Sequence, residues 1–261
     1  MTQFSLPETA RTALPQSFLA TPIAHRAFHD VAAGRPENSR AAIRAAIERG
    51  YGIEIDLQPS KDGQAMVFHD YDLARLADGK GAIRQVDANT LRKTALLGGD
   101  EGIPTFAEVL DLVAGRVPLL VEIKDQDGAM GPRTGDLEEV AARELKGYDG
   151  EVAVMSFNPN SVARFAQHRN DLPLGLTTCA YLQGEWPFIP AATRKFLRDI
   201  PDFDRVGASF ISHDVDDLSN PAVTRLKDIG TPILCWTVRS QEVEIAARAV
   251  ADNITFEGYE A

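Results

Sequence analysis

Acidic and imidazole side chains stand where apolar, strand-like runs of this chain end. In the run YGIEIDL the residues alternate, so Glu54 and Asp56 share one face of a strand and the isoleucines take the other. A second run, VPLLVEIK, ends with Glu122 and Lys124 one pleat apart. Carboxylates beside apolar strands are costly unless a cation compensates them. Three of them from two strands therefore indicate a hard divalent cation.

Two histidines follow short apolar runs in the same manner, His25 after PIA and His69 after AMVF. Imidazoles titrate near neutral pH, so this pair can take and give protons in an acid–base reaction. Together with the carboxylates, the histidines predict a catalytic site. The structural alternative is a buried ion network in which the acids pair with Arg26 and Lys124.

Composition limits the setting in which such a site works. The 261 residues are 44% hydrophobic, enough to bury a full core, and the formal net charge of -11 argues against a nucleic-acid partner. Cys179 and Cys235 lie in apolar runs and give no disulfide framework. Residues 1–20 lack the pattern of a signal peptide, and no apolar run approaches the length of a membrane helix. We therefore expect a cytoplasmic protein without a transmembrane segment; its oligomeric state stays open.

Strand-like runs alternate with helical patterns along the chain, and Asn38-Ser39 gives one helix an N-terminal capping signal. This rhythm is typical of a parallel sheet, either open or closed. Eight strands in about 250 residues, with chemistry at their C-terminal ends, favour a TIM-like (β/α)8 barrel as one domain over residues 1–261. The predicted strands are Pro22–Phe28, Tyr51–Leu57, Pro118–Lys124, Glu151–Ser156, Pro173–Thr177, Val206–Ile211, Pro232–Val238 and Asn253–Phe256.

Two stretches interrupt the alternation. Residues 58–103 are too long for a simple loop and predict a small insertion between the second strand and its helix. Residues 181–204 are rich in aromatics and proline and form either a lid over the barrel mouth or a surface loop that packs its own apolar residues.

The order of several short motifs resembles the glycerophosphodiester phosphodiesterase family. Each motif is common by chance, but their joint order extends from about Ile23 to Phe256, nearly the whole chain. The motifs are His25-Arg26, Pro36-Glu37-Asn38, Glu54-Ile55-Asp56, Lys61-Asp62-Gly63, His69-Asp70, Pro104-Thr105, Glu122-Ile123-Lys124 and Trp236-Thr237.

The resemblance implies hydrolysis of small glycerophosphodiesters to glycerol 3-phosphate and an alcohol, with one divalent cation, Mg²⁺ or Ca²⁺. It implies metal ligands at Glu54, Asp56 and Glu122, and catalytic acid–base groups at His25 and His69. Substrate and phosphate contacts then fall to Arg26, Lys124 and Trp236. Asn38 has a sufficient structural reason for its presence in capping a helix, and His29, His168 and His213 are not assigned to the site.

Two positions depart from the family pattern: Ala27 stands where glycine is usual, and Arg239 where asparagine is frequent. Ala27 removes no functional group, and Arg239 adds a cation near the rim that either meets an anionic substrate group or is a solvated side chain. Two alternative functions stay open. One is cleavage of a lysophospholipid by the same site, and the other is a barrel that binds a metal or phosphoester without catalysis, since TIM barrels host many activities.

Overall fold

A closed barrel of parallel strands forms the centre of the protein. The structure is a computed structural model and describes residues 11–261. Strands β1, β2 and β4 to β9 pair in parallel in chain order, and β9 pairs back onto β1, while β3 lies antiparallel on β2. This confirms the predicted (β/α)8 barrel. The strands are β1 (Ile23–Ala24), β2 (Gly52–Pro59), β3 (Ala65–Val67), β4 (Leu119–Ile123), β5 (Val152–Ser156), β6 (Leu174–Thr178), β7 (Phe210–Asp214), β8 (Ile233–Val238) and β9 (Asn253–Phe256).

Helices lie between successive strands and surround the barrel. Ser39 caps the N-terminus of α2, with its side chain accepting from the backbone of Ala42, and Gly50 ends that helix at φ +72°. In residues 11–261 no helix is long and apolar enough to cross a membrane. The helices are α1 (Ser17–Ala20), α2 (Arg40–Arg49), α3 (Ala88–Leu91), α4 (Phe106–Val113), α5 (Leu137–Glu144), α6 (Pro159–His168), α7 (Ala191–Arg198), α8 (Pro221–Asp228) and α9 (Gln241–Ala247).

Two strands differ from their predicted bounds by more than two residues at an end. The first is short because Arg26 and Ala27 adopt φ values of 51° and 64°, which turn the chain away from the sheet directly after His25. The seventh was predicted at Val206–Ile211 but lies at Phe210–Asp214. Its predicted first residues are buried in a turn, where Gly207 at φ 68° breaks the extended conformation.

The core has two layers, as strand alternation requires. Outward side chains of the strands, such as Ile53 and Ile55 on β2, pack under the surrounding helices. Inward side chains at the N-terminal end of the barrel are also apolar, and Phe18 of α1 and Phe210 of β7 fill that end. The inward carboxylates of β2 and β4 lie toward the C-terminal mouth of the barrel, where active sites of this fold lie.

The predicted insertion after the second strand is confirmed between β2 and α4. It contains β3 and α3 and has a small core of its own, which includes Phe68, Leu73 and Leu91. Its bounds, predicted at about 58–103, stay a prediction; β2 extends to Pro59. The assignment of residues 1–261 to a single domain stays a prediction. Residues 1–10, part of that range and of the segment in which we predicted no signal peptide, lie outside the described residues.

Candidate active site

Three buried carboxylates meet inside the barrel mouth. Glu54 and Asp56 come from β2, Glu122 comes from the neighbouring β4, and Asp56 pairs in register with Glu122. One oxygen from each carboxylate lies within 4.8 Å of the other two. The structure therefore brings together the three predicted metal ligands, because alternation along two adjacent parallel strands points them into the same space.

Lys124 compensates part of this negative charge. Its Nζ atom lies 2.7 Å from Asp56 Oδ1 and 2.6 Å from Glu122 Oε1. Burial opposes its charge, but these two carboxylates raise the pKa of Lys124, so the ammonium is retained. Burial likewise opposes ionisation of Asp56, but Lys124 and nearby cations hold the pKa of Asp56 well below its usual range. The ion pairs with Lys124 that a buried ion network, the structural alternative to a metal site, requires are thus present.

Glu54 is less well compensated. Its Oε2 atom accepts a hydrogen bond from the backbone N–H of Arg26 at 2.8 Å. Burial, together with repulsion from Asp56 and Glu122, raises the pKa of Glu54 well above its usual value. A cation bound between the three carboxylates would relieve this repulsion, and their oxygen atoms are the donors that Mg²⁺ and Ca²⁺ prefer. The residues present therefore fit a hard divalent cation.

His25 lies at the end of β1, and its ring is held by a carboxylate from the other end of the chain. Its Nδ1 atom is 2.6 Å from Oε2 of Glu257, which directly follows β9. Since a carboxylate only accepts, Nδ1 carries the proton and Nε2 is left as the proton acceptor. Burial lowers the pKa of His25 to about 4, against the opposing effect of Glu257, so the imidazole is neutral near pH 7.

The role of Glu257 was not predicted from the sequence. It also accepts from Arg239, whose Nε lies 2.8 Å from Glu257 Oε1, and it is 3.5 Å from His29 Nε2. A sequence signal was available, because Glu257 follows the last apolar strand run just as Lys124 follows the run on β4.

His69 has a comparable arrangement, built from neighbouring residues. Its Nδ1 atom lies 2.7 Å from Oδ1 of the adjacent Asp70, and its ring is 29% exposed. Burial opposes ionisation of Asp70, but hydrogen bonds from Arg75 and His69 hold the pKa of Asp70 well below its usual range. Each predicted catalytic histidine therefore has a carboxylate that orients its ring.

Arg26 approaches the carboxylates from the turn after β1. Its Nη1 atom donates to Glu37 Oε1 at 2.8 Å, and its Nε atom is 3.8 Å from Asp56 Oδ2. The Nε atom is buried and has no hydrogen-bond partner within the described residues. A buried guanidinium with a free donor beside the carboxylates suits a phosphoryl oxygen. The adjacent Ala27, where the family usually has glycine, adopts a left-handed φ of 64°, a conformation that glycine adopts without strain.

Asn38 does not cap its helix, contrary to the expectation from sequence. The cap of α2 is Ser39, whereas Asn38 Nδ2 donates to Asp56 Oδ2 at 2.9 Å. Asn38 is buried and has φ 58°, and its backbone N–H donates to the carbonyl of Arg26. It therefore fixes the orientation of Asp56.

Aromatic residues form one side of the mouth. Trp236 on β8 donates from Nε1 to the carbonyl of Ser212 at 3.0 Å, and its ring packs edge-to-face on Phe157 at 5.4 Å between centroids. Trp186, from the stretch 181–204, contacts Phe157 at 5.0 Å and Tyr181 at 5.4 Å. This stretch therefore packs on the aromatic side of the mouth, and it contains α7, which the sequence pattern did not predict. Its closure over substrate stays a prediction.

The remaining histidines differ in their surroundings. His213 was expected after a strand, but β7 extends to Asp214, and the buried His213 ring bonds Thr178 Oγ1 at 2.7 Å and the carbonyl of Asp217 at 3.1 Å. Both ring nitrogens of His213 therefore have hydrogen-bond partners, which is typical of a histidine with a structural role. His168 ends α6 on the outside of the barrel.

A large groove of about 940 Å³ lies elsewhere, between residues 130–135, α6 and α7. Arg133, Arg164 and Phe196 contribute to its lining, whereas none of the candidate site residues in the described chain does. The candidate site is therefore defined by its buried charges and histidines and not by the depth of a cavity.

Comparison with known proteins identifies the family. The model of the glycerophosphoryl diester phosphodiesterase family matches residues 25–256. The chain belongs to this family. The match begins at His25 and ends at Phe256, so it contains both histidines and seven of the eight barrel strands, all but β1.

Individual relatives agree with this assignment. A glycerophosphodiester phosphodiesterase of Caldanaerobacter subterraneus subsp. tengcongensis is 32% identical over 160 residues, which make up 58% of this chain and 65% of that protein. The Bacillus subtilis protein YhdW is 26% identical over 239 residues, or 87% and 90% of the two chains. A phosphodiesterase of Oleispira antarctica, solved with the product sn-glycerol-3-phosphate, has a TM-score of 0.71 at 22% identity and covers 92% of this chain and 94% of its own. This last likeness shows the shared fold.

Proposed function

We propose that this protein hydrolyses glycerophosphodiesters to glycerol 3-phosphate and an alcohol. The observation that carries the proposal is the placement of two carboxylate-oriented histidines and a free arginine donor around three buried carboxylates. Family membership and the names of the relatives support the same reaction. A small diester also agrees with the net charge, because one phosphate can be neutralised locally in an acidic protein.

Glu54, Asp56 and Glu122 would hold one divalent cation, Mg²⁺ or Ca²⁺. When bound, such a cation neutralises phosphoryl charge and helps to orient the diester. Arg26 donates to a phosphoryl oxygen from its unpartnered Nε atom, and Lys124 adds positive charge beside it. Both cations stabilise the negative charge that grows on the phosphoryl group in the transition state.

The two histidines take different parts in the reaction. His25, neutral with Nε2 free, accepts the proton of the glycerol 2-hydroxyl as its oxygen attacks phosphorus. His69 donates a proton to the leaving alcohol oxygen as the bond from that oxygen to phosphorus breaks, which leaves a five-membered cyclic phosphate. In the second step His69 accepts a proton from the attacking water, and His25 returns its proton to the 2-oxygen as the ring opens.

Trp236 forms one wall of the glycerol pocket. Its ring is half-buried at the mouth, and the hydrogen bond from Nε1 to Ser212 fixes its plane. We also keep the sequence-based predictions that the protein acts in the cytoplasm and does not bind nucleic acid.

A second candidate substrate is a lysophospholipid cleaved by the same residues. Apolar side chains beside the mouth favour it: in the stretch 181–204, Phe188 is 87% exposed and Leu182 is 53% exposed. Such residues could contact an acyl chain, although the acidic charge of the protein does not favour an anionic membrane surface.

A substrate panel tests the proposal. Purified protein with added Mg²⁺ or Ca²⁺ is incubated with glycerophosphocholine, glycerophosphoethanolamine and lysophosphatidylcholine, and the products are followed by ³¹P NMR. We expect glycerol 3-phosphate from the first two. Turnover of lysophosphatidylcholine alone would transfer the assignment to the second candidate, and no turnover of any substrate by folded protein would leave a binding role.

A further inference from the structure

A chain of ion pairs crosses the rim of the candidate site, and one residue joins its two halves. On one side, His69 is hydrogen-bonded to Asp70 at 2.7 Å. On the other, Arg26 is hydrogen-bonded to Glu37 at 2.8 Å. Arg75, which has no role in the function proposed above, contacts both carboxylates.

The geometry of Arg75 uses the whole guanidinium. Its Nε and Nη2 atoms donate to the two oxygens of Asp70, each at 2.6 Å. Its Nη1 and Nη2 atoms lie 3.2 Å from the two oxygens of Glu37. A planar guanidinium can grip two carboxylates along two of its edges, whereas an ammonium group is a point charge and cannot fix both planes.

The insertion fixes the backbone that carries Arg75. The side chains of Leu73 and Ala77, two residues to either side, are buried in the core of the insertion. The N–H of Ala77 donates to the carbonyl of Leu73 at 2.9 Å, and Ala74 donates to the Asp72 side chain. The backbone is therefore held without the ion pairs, so removal of the Arg75 side chain should leave the insertion folded.

We infer that Arg75 is a positioning residue that orients His69 through Asp70 and Arg26 through Glu37. This inference rests on the proposed function and assigns a task to the insertion after the second strand. Without Arg75, Asp70 and Glu37 would face each other without their shared cation. Glu37 would then be free to reorient with Arg26, and Asp70 with His69, so both groups would lose alignment with the diester.

The test compares Arg75→Ala and Arg75→Lys with the unaltered protein, with Arg92→Ala as a matched control. Arg92 lies in the same insertion, is similarly exposed and pairs with Glu108, away from the candidate site. Turnover of glycerophosphocholine is measured with Mg²⁺ or Ca²⁺, and thermal unfolding is recorded for each protein. Misalignment of reacting groups lowers the rate by up to about 100-fold. We therefore expect kcat/KM of Arg75→Ala to fall about 10- to 100-fold, with a decrease in kcat. The kcat/KM of Arg92→Ala should stay within about twofold of the unaltered protein.

Two further readouts separate positioning from charge or stability. Arg75→Lys keeps the charge, and we expect it to recover less than half of the lost activity because it cannot bind both carboxylates in their planes. Free guanidinium, added well below denaturing concentrations, should partly restore Arg75→Ala and leave Arg92→Ala unchanged.

Several outcomes would overturn the inference. They are an Arg75→Ala variant within twofold of the unaltered protein, full recovery by lysine, or equal losses in Arg75→Ala and Arg92→Ala. Absence of turnover in the unaltered protein is a different result, since it removes the proposed function and the inference together.

Discussion

Replacement of Glu257 tests whether this carboxylate supports His25 as the general base. We predict that Glu257→Gln keeps the shape of the side chain but removes the charge that stabilises His25 once it has accepted a proton. The carboxylate lies 2.6 Å from His25 Nδ1, and its side chain is 19% exposed, so the interaction is only partly screened. The loss should fall on kcat, because the imidazolium forms during the reaction.

The expected size follows from the hydrogen bond that is weakened. A hydrogen bond to a charged group contributes about 1.5–3 kcal/mol and a neutral one about 0.5–1.5 kcal/mol, so replacing the charge costs about 1–2 kcal/mol. At about 1.4 kcal/mol for each factor of ten, kcat should fall about 5- to 30-fold. The pair with Arg239 adds little, because that side chain is 65% exposed.

The assay is steady-state turnover of glycerophosphocholine with saturating Mg²⁺ or Ca²⁺, with circular dichroism to verify folding. Glu244→Gln is the matched control: Glu244 accepts from Arg248 at 2.8 Å and Tyr259 at 2.9 Å, and it contacts none of the candidate site residues. We expect the control to stay within about twofold. A folded Glu257→Gln variant with unchanged kcat would refute the idea that Glu257 supports His25 as the base.

Other predictions concern the acid, the cation, Asp56 and the aromatic side of the mouth. His69→Ala should lose much more activity on glycerophosphocholine than on a glycerol phosphodiester with a p-nitrophenyl leaving group, which needs no proton; equal losses on both would reject His69 as the acid. Glu54→Gln should weaken Mg²⁺ or Ca²⁺ binding measured by calorimetry, and unchanged affinity would place the cation elsewhere. Asn38→Ala should lower the free energy of unfolding by about 1–3 kcal/mol, because Asp56 loses a buried hydrogen bond, and should also lower turnover. Turnover and thermal unfolding both equal to those of the unaltered protein would count against that bond. Trp186→Ala should raise KM with little change in kcat if the stretch 181–204 closes over substrate, and an unchanged KM would favour the surface-loop interpretation.

Local sequence patterns predicted much of this molecule because strand alternation is a local property. It set Glu54 and Asp56 on the inward face of β2 and Glu122 on that of β4, and parallel pairing then brought them together. The seventh strand was misplaced because a buried apolar turn has the same composition as a strand, and only its backbone conformation separates them.

The residues that contact the candidate catalytic groups could not be predicted from local sequence patterns. Glu257 reaches His25 across 232 positions of sequence, since barrel closure places β9 beside β1. Arg75 meets Glu37 only because the insertion folds back over the mouth. The capping signal at Asn38-Ser39 correctly marked the start of α2, but the residue that caps the helix is Ser39 and not Asn38. Each of these contacts depends on tertiary structure, which spacing along the chain does not encode.

The most direct test of the account is add-back of a divalent cation to chelator-treated protein, with release of glycerol 3-phosphate from glycerophosphocholine as the readout. The unaltered protein and Glu122→Gln, which removes one charge from the three carboxylates, are titrated with Mg²⁺ and with Ca²⁺. We predict no release without a cation, recovery on add-back, and a requirement for much more cation in the variant. Full release by the chelated protein, or identical titrations for the two proteins, would contradict a cation held by Glu54, Asp56 and Glu122.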